Sequence, residues 1–408
     1  METDQTAWIA TPITEAIVRG AAELEQTARG VKPHRLPARA LAQSGDAQLG
    51  AVESQGAGVR LVFRTRATEI ELAVFPTRRH YAGVPARPPG RYDLLVDGKL
   101  ARQCTADGGD AITIDMATGA ASTQAGATAL LTFAGLPDHD KRIEIWLPYG
   151  EVTELVSLRA SARIDPVEAD RRPVWLHHGS SISHGSNADS PTSTWPAIAA
   201  LRSGTELINL GLGGNALLDP FTARTMRDTR ADLLSVKIGI NLVNLDLLRL
   251  RAFTPAVHGF LDTIRDGHPT TPLLVISPLY CAIHEDTPGP GAFDLEALAA
   301  GKIAFRATGE PADVRYGKLT LTTIRRELQR IVRQRAATDP HLHYLDGLEL
   351  YGLEDHAELP MPDGLHPDGR AHRLIGERFA TLVFGGDGVF AGTCLQAATC
   401  AILPPRNP

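Results

Sequence analysis

The feature that most constrains the fold of this 408-residue chain is a short apolar run that ends in glycine and serine. The run covers residues 174–178, and Gly179-Ser180-Ser181-Ile182 follows it. A run of this length before a turn signal is typical of a strand buried in a parallel sheet. A serine just past such a strand lies at the carboxyl edge of the sheet, where open α/β sheets bind ligands. An ordinary strand-to-helix turn gives the same pattern, so this segment alone leaves function open.

From residue 174 onward, predicted strands alternate with predicted helices. The strands are expected at 207–210, 233–240, 273–277 and 343–345, and the helices at 255–265, 318–335 and 371–384. This alternation predicts an α/β domain over residues 173–390, in three α/β/α layers around a parallel sheet. Residues 287–314, rich in Pro, Gly and Ala, interrupt it and are predicted to form a loop or lid near the site. The tail, residues 391–408, is expected to be loosely held.

Residues 1–165 have a different pattern, with short strands and turn signals at regular spacing. Thr68, Ile70, Leu72 and Val74 alternate with polar residues and are predicted to share one face of a strand. Further strands are predicted at 92–100, with a turn at Asp97-Gly98, and at 111–115, 129–133 and 142–147. This pattern favours a β-sandwich. The only helix-like segment is 21–28, and residues 156–172 are predicted to join the two domains.

Composition excludes several classes of function. The net charge of −6 gives no sign of binding to nucleic acid or an anionic membrane. No apolar run approaches 18 residues, so no membrane span is expected, and the N-terminus lacks a signal-peptide pattern. The four cysteines, Cys104, Cys281, Cys394 and Cys400, are scattered and have no zinc-site spacing. Reduced thiols and a cytoplasmic location are therefore expected.

Four fragments at predicted strand ends carry the strongest signal. They are Gly179-Ser180-Ser181-Ile182-Ser183, Asn209-Leu210-Gly211-Leu212-Gly213-Gly214-Asn215, Gly239-Ile240-Asn241 and Asp363-Gly364-Leu365-His366-Pro367. In order and content they resemble the blocks of the SGNH, or GDSL-type, serine esterases and acyltransferases. The resemblance covers roughly residues 174–384. It implies a flavodoxin-like parallel sheet and ester-bond chemistry that needs no metal and no cofactor.

The resemblance also implies roles for individual residues. Ser181 occupies the position of the nucleophile, His366 that of the general base, and Asp363 that of the carboxylate that holds the imidazole. The oxyanion donors would be the backbone N–H groups of Ser181 and Gly214 and the side-chain amide of Asn241. Acyl transfer needs this combination of nucleophile, base and oxyanion donors.

The chain departs from the usual family pattern at one position. Ser180 stands where the family usually has Asp, which puts a supporting role for that residue in doubt. A two-domain subset also has a small hydroxyl residue there, after an N-terminal β-sandwich of jelly-roll, carbohydrate-binding-module-like type with a Gly-x-Asp-Leu-Tyr-like motif. Gly90-Arg91-Tyr92-Asp93-Leu94 matches that motif imperfectly. The subset that this chain resembles includes salicyl-transferring acyltransferases of tetracycline biosynthesis.

Other polar residues in or near the four fragments have either a functional or a purely structural interpretation. Ser180, His184, Asn215 and Asn244 are candidates for lining the pocket, and Asn244 competes with Asn241 for the oxyanion role. His177 and His178, within the first strand, are expected to pack around the site. His284, Glu285 and Asp286 are residue types that bind metals, but a solvated loop is the favoured interpretation. Cys281 lacks a paired histidine, so it is not predicted to be a nucleophile.

The predicted function is acyl transfer through an acyl-serine intermediate. The partners would be a small-molecule acyl ester or acyl-CoA donor and a hydroxyl acceptor on a polyketide, glycoside or sugar-like alcohol. Hydrolysis of a carbohydrate O-acyl ester uses the same residues and remains an alternative. A third alternative, from a different class, is a non-catalytic carbohydrate-binding protein on a hydrolase scaffold.

Overall fold

The computed structural model describes residues 8–115, 118–167 and 172–391. Cys394, Cys400 and nearly all of the predicted tail lie outside these residues. The strands before residue 167 are, in chain order, β1 (Ile9–Thr11), β2 (Val18–Arg19), β3 (Glu23–Gln26), β4 (Val31–His34), β5 (Arg60–Thr65), β6 (Ile70–Tyr81), β7 (Arg91–Val96), β8 (Lys99–Thr105), β9 (Asp110–Ile114), β10 (Ala121–Gln124), β11 (Ala129–Phe133), β12 (Lys141–Trp146), β13 (Val152–Ala160) and β14 (Ile164–Pro166). Two short helices, α1 (Ala38–Leu41) and α2 (Ala47–Glu53), separate β4 from β5.

These strands form two sheets that enclose one apolar core. Within the described residues one sheet has the order β10-β9-β6-β13-β4-β3, with β1 on β13 and β11 on β6, and the other has the order β14-β5-β12-β7-β8, with β2 on β5. Leu72 and Leu158 from the first sheet share a buried cluster with Phe63 and Ile145 from the second. The prediction of a β-rich N-terminal domain is confirmed, while its jelly-roll topology and its likeness to carbohydrate-binding modules stay predictions.

Two local predictions in this half are wrong. Thr68 is exposed and lies before β6, although Ile70, Leu72 and Val74 are buried on one face as predicted. Residues 21–28 do not form a helix, because β3 pairs antiparallel with β4 in this segment. The Leu and Glu residues there favour a helix intrinsically, and the strand partner overrides that weak preference.

The second half is built on a parallel sheet. Its strands are β15 (Val174–Gly179), β16 (Glu206–Gly211), β17 (Leu233–Lys237), β18 (Leu273–Ile276) and, after a two-stranded hairpin of β19 (Gly291–Phe293) and β20 (Phe305–Ala307), β21 (Leu342–Leu345). In the described chain the parallel strands have the order β16-β15-β17-β18-β21. The order reverses between β15 and β17, and open α/β sheets bind ligands outside the strand ends at such a point.

Helices cover both faces of this sheet. They are α3 (Ser181–His184), α4 (Trp195–Ser203), α5 (Pro220–Asp228), α6 (Ile240–Asn244), α7 (Leu250–Gly267), α8 (Leu295–Ala299), α9 (Leu321–Arg335), α10 (Leu353–Glu358) and α11 (Gly369–Phe379), with 3-10 turns at Pro191–Ser193, Pro311–Tyr316 and Gly347–Glu349 and a π-helical turn at Ala380–Phe384. Neighbouring residues of β18 belong to different cores: Val275 packs with helices α5, α7 and α9, and Ile276 packs with α4 and α11. The predicted three-layer fold class is therefore confirmed.

The two halves of the chain share core residues. Leu36, Leu49 and Val52, from the segment that carries α1 and α2, belong to the same buried cluster as the α5, α7 and α9 side of the parallel sheet. The predicted join at 156–172 is too long, because β13 and β14 extend to Pro166; residues 168–171 lie outside the described residues. The predicted domain boundaries stay predictions.

None of the helices in the described chain combines the length and the apolar character needed to cross a membrane.

Candidate active site

Ser181 lies at the turn between β15 and α3. Ser180 is the N-cap of this helix, and its Oγ accepts a hydrogen bond from the Ile182 N–H at 3.4 Å. Capping is thus the role that the structure gives the serine that replaces the usual aspartate. Ser180 and Ser183 are only 1% and 0% exposed, whereas Ser181 is half-buried. Of these three serines, Ser181 alone presents its hydroxyl to the open edge of the sheet.

Ser181, His366 and Asp363 form a continuous hydrogen-bonded chain. His366 Nε2 lies 2.9 Å from Ser181 Oγ, and His366 Nδ1 lies 2.8 Å from Asp363 Oδ2. A carboxylate only accepts hydrogen bonds, so the imidazole proton resides on Nδ1 and the Nε2 lone pair faces the hydroxyl. An imidazole in this tautomer can accept the proton of the hydroxyl that faces it.

The Asp363 carboxylate is held by four donors. Its Oδ1 accepts from the backbone N–H groups of Leu365, at 2.9 Å, and His366, at 2.7 Å. Its Oδ2 accepts from the imidazole and, at 3.1 Å, from Asn187 Nδ2. Burial alone would raise the pKa of Asp363, but the hydrogen bonds and the nearby imidazole outweigh it and lower the pKa to about 2. The carboxylate is therefore ionised at any neutral pH.

Three donors at neighbouring strand ends have no intramolecular partner in the described chain. They are the N–H of Ser181 at the start of α3, the N–H of Gly214 after β16, and the side-chain amide of Asn241 in α6. The Asn241 Oδ1 accepts from the Ala216 N–H at 3.1 Å, which fixes the amide so that its NH₂ group faces the other way. Gly214 has a φ of +75°, and a side chain there would meet open space. Unpaired N–H groups close to a serine nucleophile are suited to bind an oxyanion.

The other predicted pocket residues lie in different surroundings. The Asn215 side chain donates to Gly213 O at 2.9 Å, and Asn244 Oδ1 lies 3.2 Å from His284 Nε2. Asn244 thus faces a second histidine, while Asn241 is fixed by the backbone after β16. His184 is buried and contacts the N-terminal half of the chain through Tyr149 O. The pocket roles of these residues stay predictions.

His177 and His178 pack within the sheet, as expected. His177 lies between Ser235 Oγ at 2.7 Å and Ser183 Oγ at 2.8 Å, and His178 Nδ1 lies 2.8 Å from Leu210 O. Burial lowers the pKa of both imidazoles, that of His178 to about 4, so both are neutral at neutral pH. They support the strand from which Ser181 emerges.

The residues considered as a metal site or as a second nucleophile have other contacts or the wrong protonation state for those roles. Glu285 forms an ion pair with Arg325, and His284 Nδ1 lies 3.1 Å from Thr287 O. Within the described ranges no group of three His, Cys, Asp or Glu side chains is arranged to hold a metal ion. Burial raises the pKa of the Cys281 thiol to about 12, so it is not present as a thiolate at neutral pH.

The predicted loop or lid, residues 287–314, borders Asp363 and His366. It contains the hairpin of β19 and β20 as well as α8, elements that its composition did not predict. The Phe305 N–H donates to Asp363 O at 2.8 Å, and the Phe305 ring lies edge-on to the His366 ring at 5.7 Å. Phe293 stacks on Phe305 at 4.9 Å. Phe305 thus lies beside His366, and Phe293 extends the aromatic surface away from it; we call these two rings the aromatic wall.

Sequence reasoning missed three residues that support the site. Phe305 gave no signal because its contact with His366 is distant in sequence, and Asn187 stands outside every motif. Asp93 lies in the Gly-x-Asp-Leu-Tyr-like motif at residues 90–94, but that motif did not predict its hydrogen-bond partners. Its Oδ2 accepts from Ser190 Oγ at 2.6 Å and from Thr192 Oγ1 at 2.5 Å. This buried carboxylate thus joins β7 to the loop that follows Asn187.

Comparison with known proteins agrees with this geometry. Residues 172–283 match the model of the GDSL-like lipase/acylhydrolase family. The chain carries a GDSL-like lipase/acylhydrolase domain. That match includes the segments of Ser181, Gly214 and Asn241. The expected family and the assignment to ester-acting enzymes are thereby confirmed. No curated protein sequence matches the chain significantly.

Several solved structures align with both halves of this chain and share its fold. The salicylyl-acyltransferase SsfX3 from a tetracycline biosynthetic pathway is 28% identical, with a TM-score of 0.74 over 91% of this chain and 95% of that one. A family two carbohydrate esterase from Cellvibrio japonicus is 10% identical, with a TM-score of 0.54 over 92% and 96%. Another from Clostridium thermocellum is 12% identical, with a TM-score of 0.52 over 80% and 92%. The GDSL-like domain thus has neighbours of both kinds, acyltransferase and esterase.

Proposed function

We propose that this chain is a serine acyltransferase that moves an acyl group from a small-molecule ester or acyl-CoA donor to the hydroxyl of a polyketide, glycoside or sugar-like alcohol. The observation that carries the proposal is the hydrogen-bonded chain from Ser181 Oγ through His366 to Asp363, with separations of 2.9 and 2.8 Å. This arrangement can activate a serine hydroxyl for attack on an acyl carbon.

The first half of the reaction loads the acyl group on Ser181. Its Oγ attacks the donor carbonyl carbon while His366 Nε2 takes the hydroxyl proton, and Asp363 stabilises the imidazolium that forms. The carbonyl oxygen becomes an oxyanion that accepts hydrogen bonds from the Ser181 N–H, the Gly214 N–H and Asn241 Nδ2. When the tetrahedral intermediate collapses, the bond to the donor alcohol or thiol breaks, and His366 returns its proton to that leaving group.

The second half transfers the acyl group to the acceptor. His366 takes the proton of the acceptor hydroxyl, whose oxygen attacks the acyl-serine carbonyl, and the proton returns to Ser181 Oγ as the new ester leaves. An organic acceptor competes with water for this step, so a site that excludes water favours transfer. The aromatic wall of Phe293 and Phe305 beside His366 supports an organic acceptor. The 28% identity to a salicylyl-acyltransferase along nearly the whole chain supports the same reading.

The N-terminal half is part of the working enzyme in this proposal. Its Asp93 holds the loop of Ser190 and Thr192, and its Tyr149 O lies 2.5 Å from His184 Nε2. Binding sites favour the interfaces between domains. If the N-terminal half closes one side of the site, it orients the acceptor and raises the effective concentration of the acceptor at the acyl-serine.

The test is a product analysis. Purified protein is incubated with p-nitrophenyl esters or acyl-CoA donors, with and without sugar or polyketide alcohols, and the products are identified by mass spectrometry. New acyl esters, formed by the wild type and not by Ser181→Ala, are expected. Release of free acid with every alcohol would assign hydrolysis, the esterase alternative, to the same residues. Equal product from Ser181→Ala would refute the proposed nucleophile.

A further inference from the structure

Arg35 is a fully buried arginine of the N-terminal half that no site motif includes. It follows β4 and is 1% exposed. On its own side of the molecule its Nε donates to Gln55 O at 2.8 Å and Glu53 O at 3.2 Å, and its Nη2 donates to Val52 O at 2.6 Å. These carbonyls belong to the end of α2 and the turn that follows, so the N-terminal half holds one side of the guanidinium.

The Nη1 and Nη2 atoms of the same guanidinium also contact the second half of the chain. Its Nη1 donates to Asn209 O at 3.0 Å and to Gly211 O at 2.7 Å, the last carbonyls of β16. Its Nη2 also lies 3.2 Å from His184 Nδ1. All five N–H groups of the guanidinium therefore have a partner, and three of those partners lie in the GDSL-like domain.

The contacts of Arg35 border two groups that the proposed reaction uses. Gly211 precedes Gly214 by three residues, and His184 is the last residue of the helix that Ser181 begins. Helix α3 lies so close to the end of β16 that a side-chain atom on Gly211 would be 2.4 Å from the His184 backbone N. One guanidinium thus contacts both the strand that leads to an oxyanion donor and the helix that carries the nucleophile.

We propose that Arg35 is a positioning residue: it holds the end of β16 and the end of α3 at a fixed separation, and so sets the place of the Gly214 N–H relative to Ser181. This inference rests on the proposed function of Ser181 and Gly214. Oxyanion stabilisation depends on donors that lie in place before the reaction begins. A residue from the N-terminal half therefore completes the geometry of the site without contacting the substrate.

The charge states of the two side chains agree with this arrangement. Burial lowers the pKa of Arg35 to about 10, and the nearby Glu53 carboxylate partly opposes that, so Arg35 is a cation at neutral pH. Burial, followed by the Arg35 charge, lowers the pKa of His184 to about 3, so His184 is neutral. Its Nε2 carries the proton and donates to Tyr149 O at 2.5 Å. Its Nδ1 lies 3.2 Å from Arg35 Nη2 and 3.0 Å from Gly211 O, and since a carbonyl oxygen only accepts, the donor to Nδ1 in this tautomer is Arg35. Both ends of the imidazole are thus bonded to the N-terminal half.

Arg60 provides a matched control. It is also 1% exposed and also crosses from the N-terminal half to β16, but at the opposite end of that strand. It donates to Leu207 O at 3.1 Å and forms an ion pair with Glu206. Substitutions at Arg60 therefore remove a comparable buried cation from the same interface, far along the strand from Gly214.

The experiment compares Arg35→Lys and Arg35→Met with Arg60→Lys and Arg60→Met. A fluorophosphonate measures the reactivity of Ser181, and a p-nitrophenyl ester that the wild type turns over gives kcat and KM. All assays run below the thermal midpoint of every variant, followed by circular dichroism. In Arg35→Met the labelling rate and kcat should fall about 100-fold, the loss that a misplacement of about 1 Å can cause. KM should change little, because ground-state binding is not the interaction removed.

The remaining variants decide between positioning and stability. Lysine keeps the charge but has no planar fork, so Arg35→Lys should recover part of the rate and no more. The Arg60 variants should lose thermal stability and keep the wild-type labelling rate. Equal labelling rates in the wild type, Arg35→Lys and Arg35→Met would overturn the inference, as would an Arg35→Lys protein that is unfolded under assay conditions. A wild type that is not labelled at Ser181 would instead refute the proposed function itself.

Discussion

Replacement of Asp363 by Asn should disable the site through the tautomer of His366. In the wild type, Asp363 Oδ1 accepts from the Leu365 and His366 N–H groups, while Oδ2 faces His366 Nδ1. The Asn amide must keep its oxygen toward the two backbone N–H groups. The opposite orientation would leave two buried donors unpaired, at about 1–3 kcal/mol each. Its NH₂ group therefore faces His366 Nδ1.

The consequence follows from donor and acceptor chemistry. An NH₂ group donates, so Nδ1 must accept, and the imidazole proton moves to Nε2, which lies 2.9 Å from Ser181 Oγ. No lone pair is then left to take the hydroxyl proton. The same substitution in a serine protease triad lowers kcat by about 10⁴, which corresponds to about 5 kcal/mol of transition-state stabilisation. We expect a loss of that order here, with KM little changed.

Asn187→Ala is the matched control, and steady-state kinetics with a p-nitrophenyl ester is the assay. It removes the 3.1 Å hydrogen bond to the same carboxylate oxygen and leaves the tautomer of His366 unchanged. One hydrogen bond to a charged group contributes about 1.5–3 kcal/mol to stability, so kcat should fall by no more than about 100-fold even if all of that energy were lost in the transition state. If Asp363→Asn lost no more activity than Asn187→Ala, the tautomer argument would be wrong.

Three further predictions follow from the same contacts. Ser181→Ala should abolish fluorophosphonate labelling and change the unfolding free energy by less than about 0.5 kcal/mol, since no core atom is removed; label on Ser180 or Ser183 in the wild type would show a wrong register. The low pKa of Asp363 stabilises the fold above the unfolded pKa of about 3.9, and this stabilisation is lost as the pH falls through the folded pKa of about 2; the thermal-midpoint advantage of the wild type over Asp363→Asn should therefore shrink below about pH 4 and be nearly gone by about pH 1, and an undiminished advantage at pH 2 would contradict this. A protein that begins near residue 165 lacks Leu36, Leu49 and Val52, so circular dichroism should show it misfolded, and wild-type kinetics from that fragment would refute the shared core.

Much of the second half was predictable because its signals are local. A buried parallel strand is a short apolar run, and four of the five parallel strands were placed within a few residues of their bounds, with β17 predicted three residues too long. Ser181, Gly214 and Asn241 each follow one of the first three strands. Parallel strands have their carboxyl ends at one edge, so residues at the ends of strands come together whatever the details of packing. The roles of these residues stay predictions, although the structure places Asp363 and His366 beside Ser181.

The supporting residues were not predictable because their signals are not local. Helices α1 and α2 have four and seven residues, too few to show a helical period, and they lie in a part read as a sandwich. Arg35 stands among prolines and other basic residues, a context typical of exposed loops. Asn187 has a φ of +67°, which asparagine tolerates, but its sequence context does not reveal the carboxylate it contacts. Each of these contacts spans more than 100 residues of sequence or depends on one local backbone angle.

The interface between the two halves combines apolar packing with directional polar contacts. Leu95 and Trp146 pack in the same buried cluster as Trp175 of β15 and Ile182 of α3. Apolar contacts stabilise this packing but allow small shifts, whereas hydrogen bonds fix distance and direction. Buried charges at Arg35, Arg60 and Asp93 supply those bonds, and each has several partners, which offsets part of its desolvation cost. Because Arg35 contacts the carboxyl end of β16 and Asp93 contacts the loop after Asn187, the N-terminal half fixes the strand ends from which the proposed catalytic groups emerge.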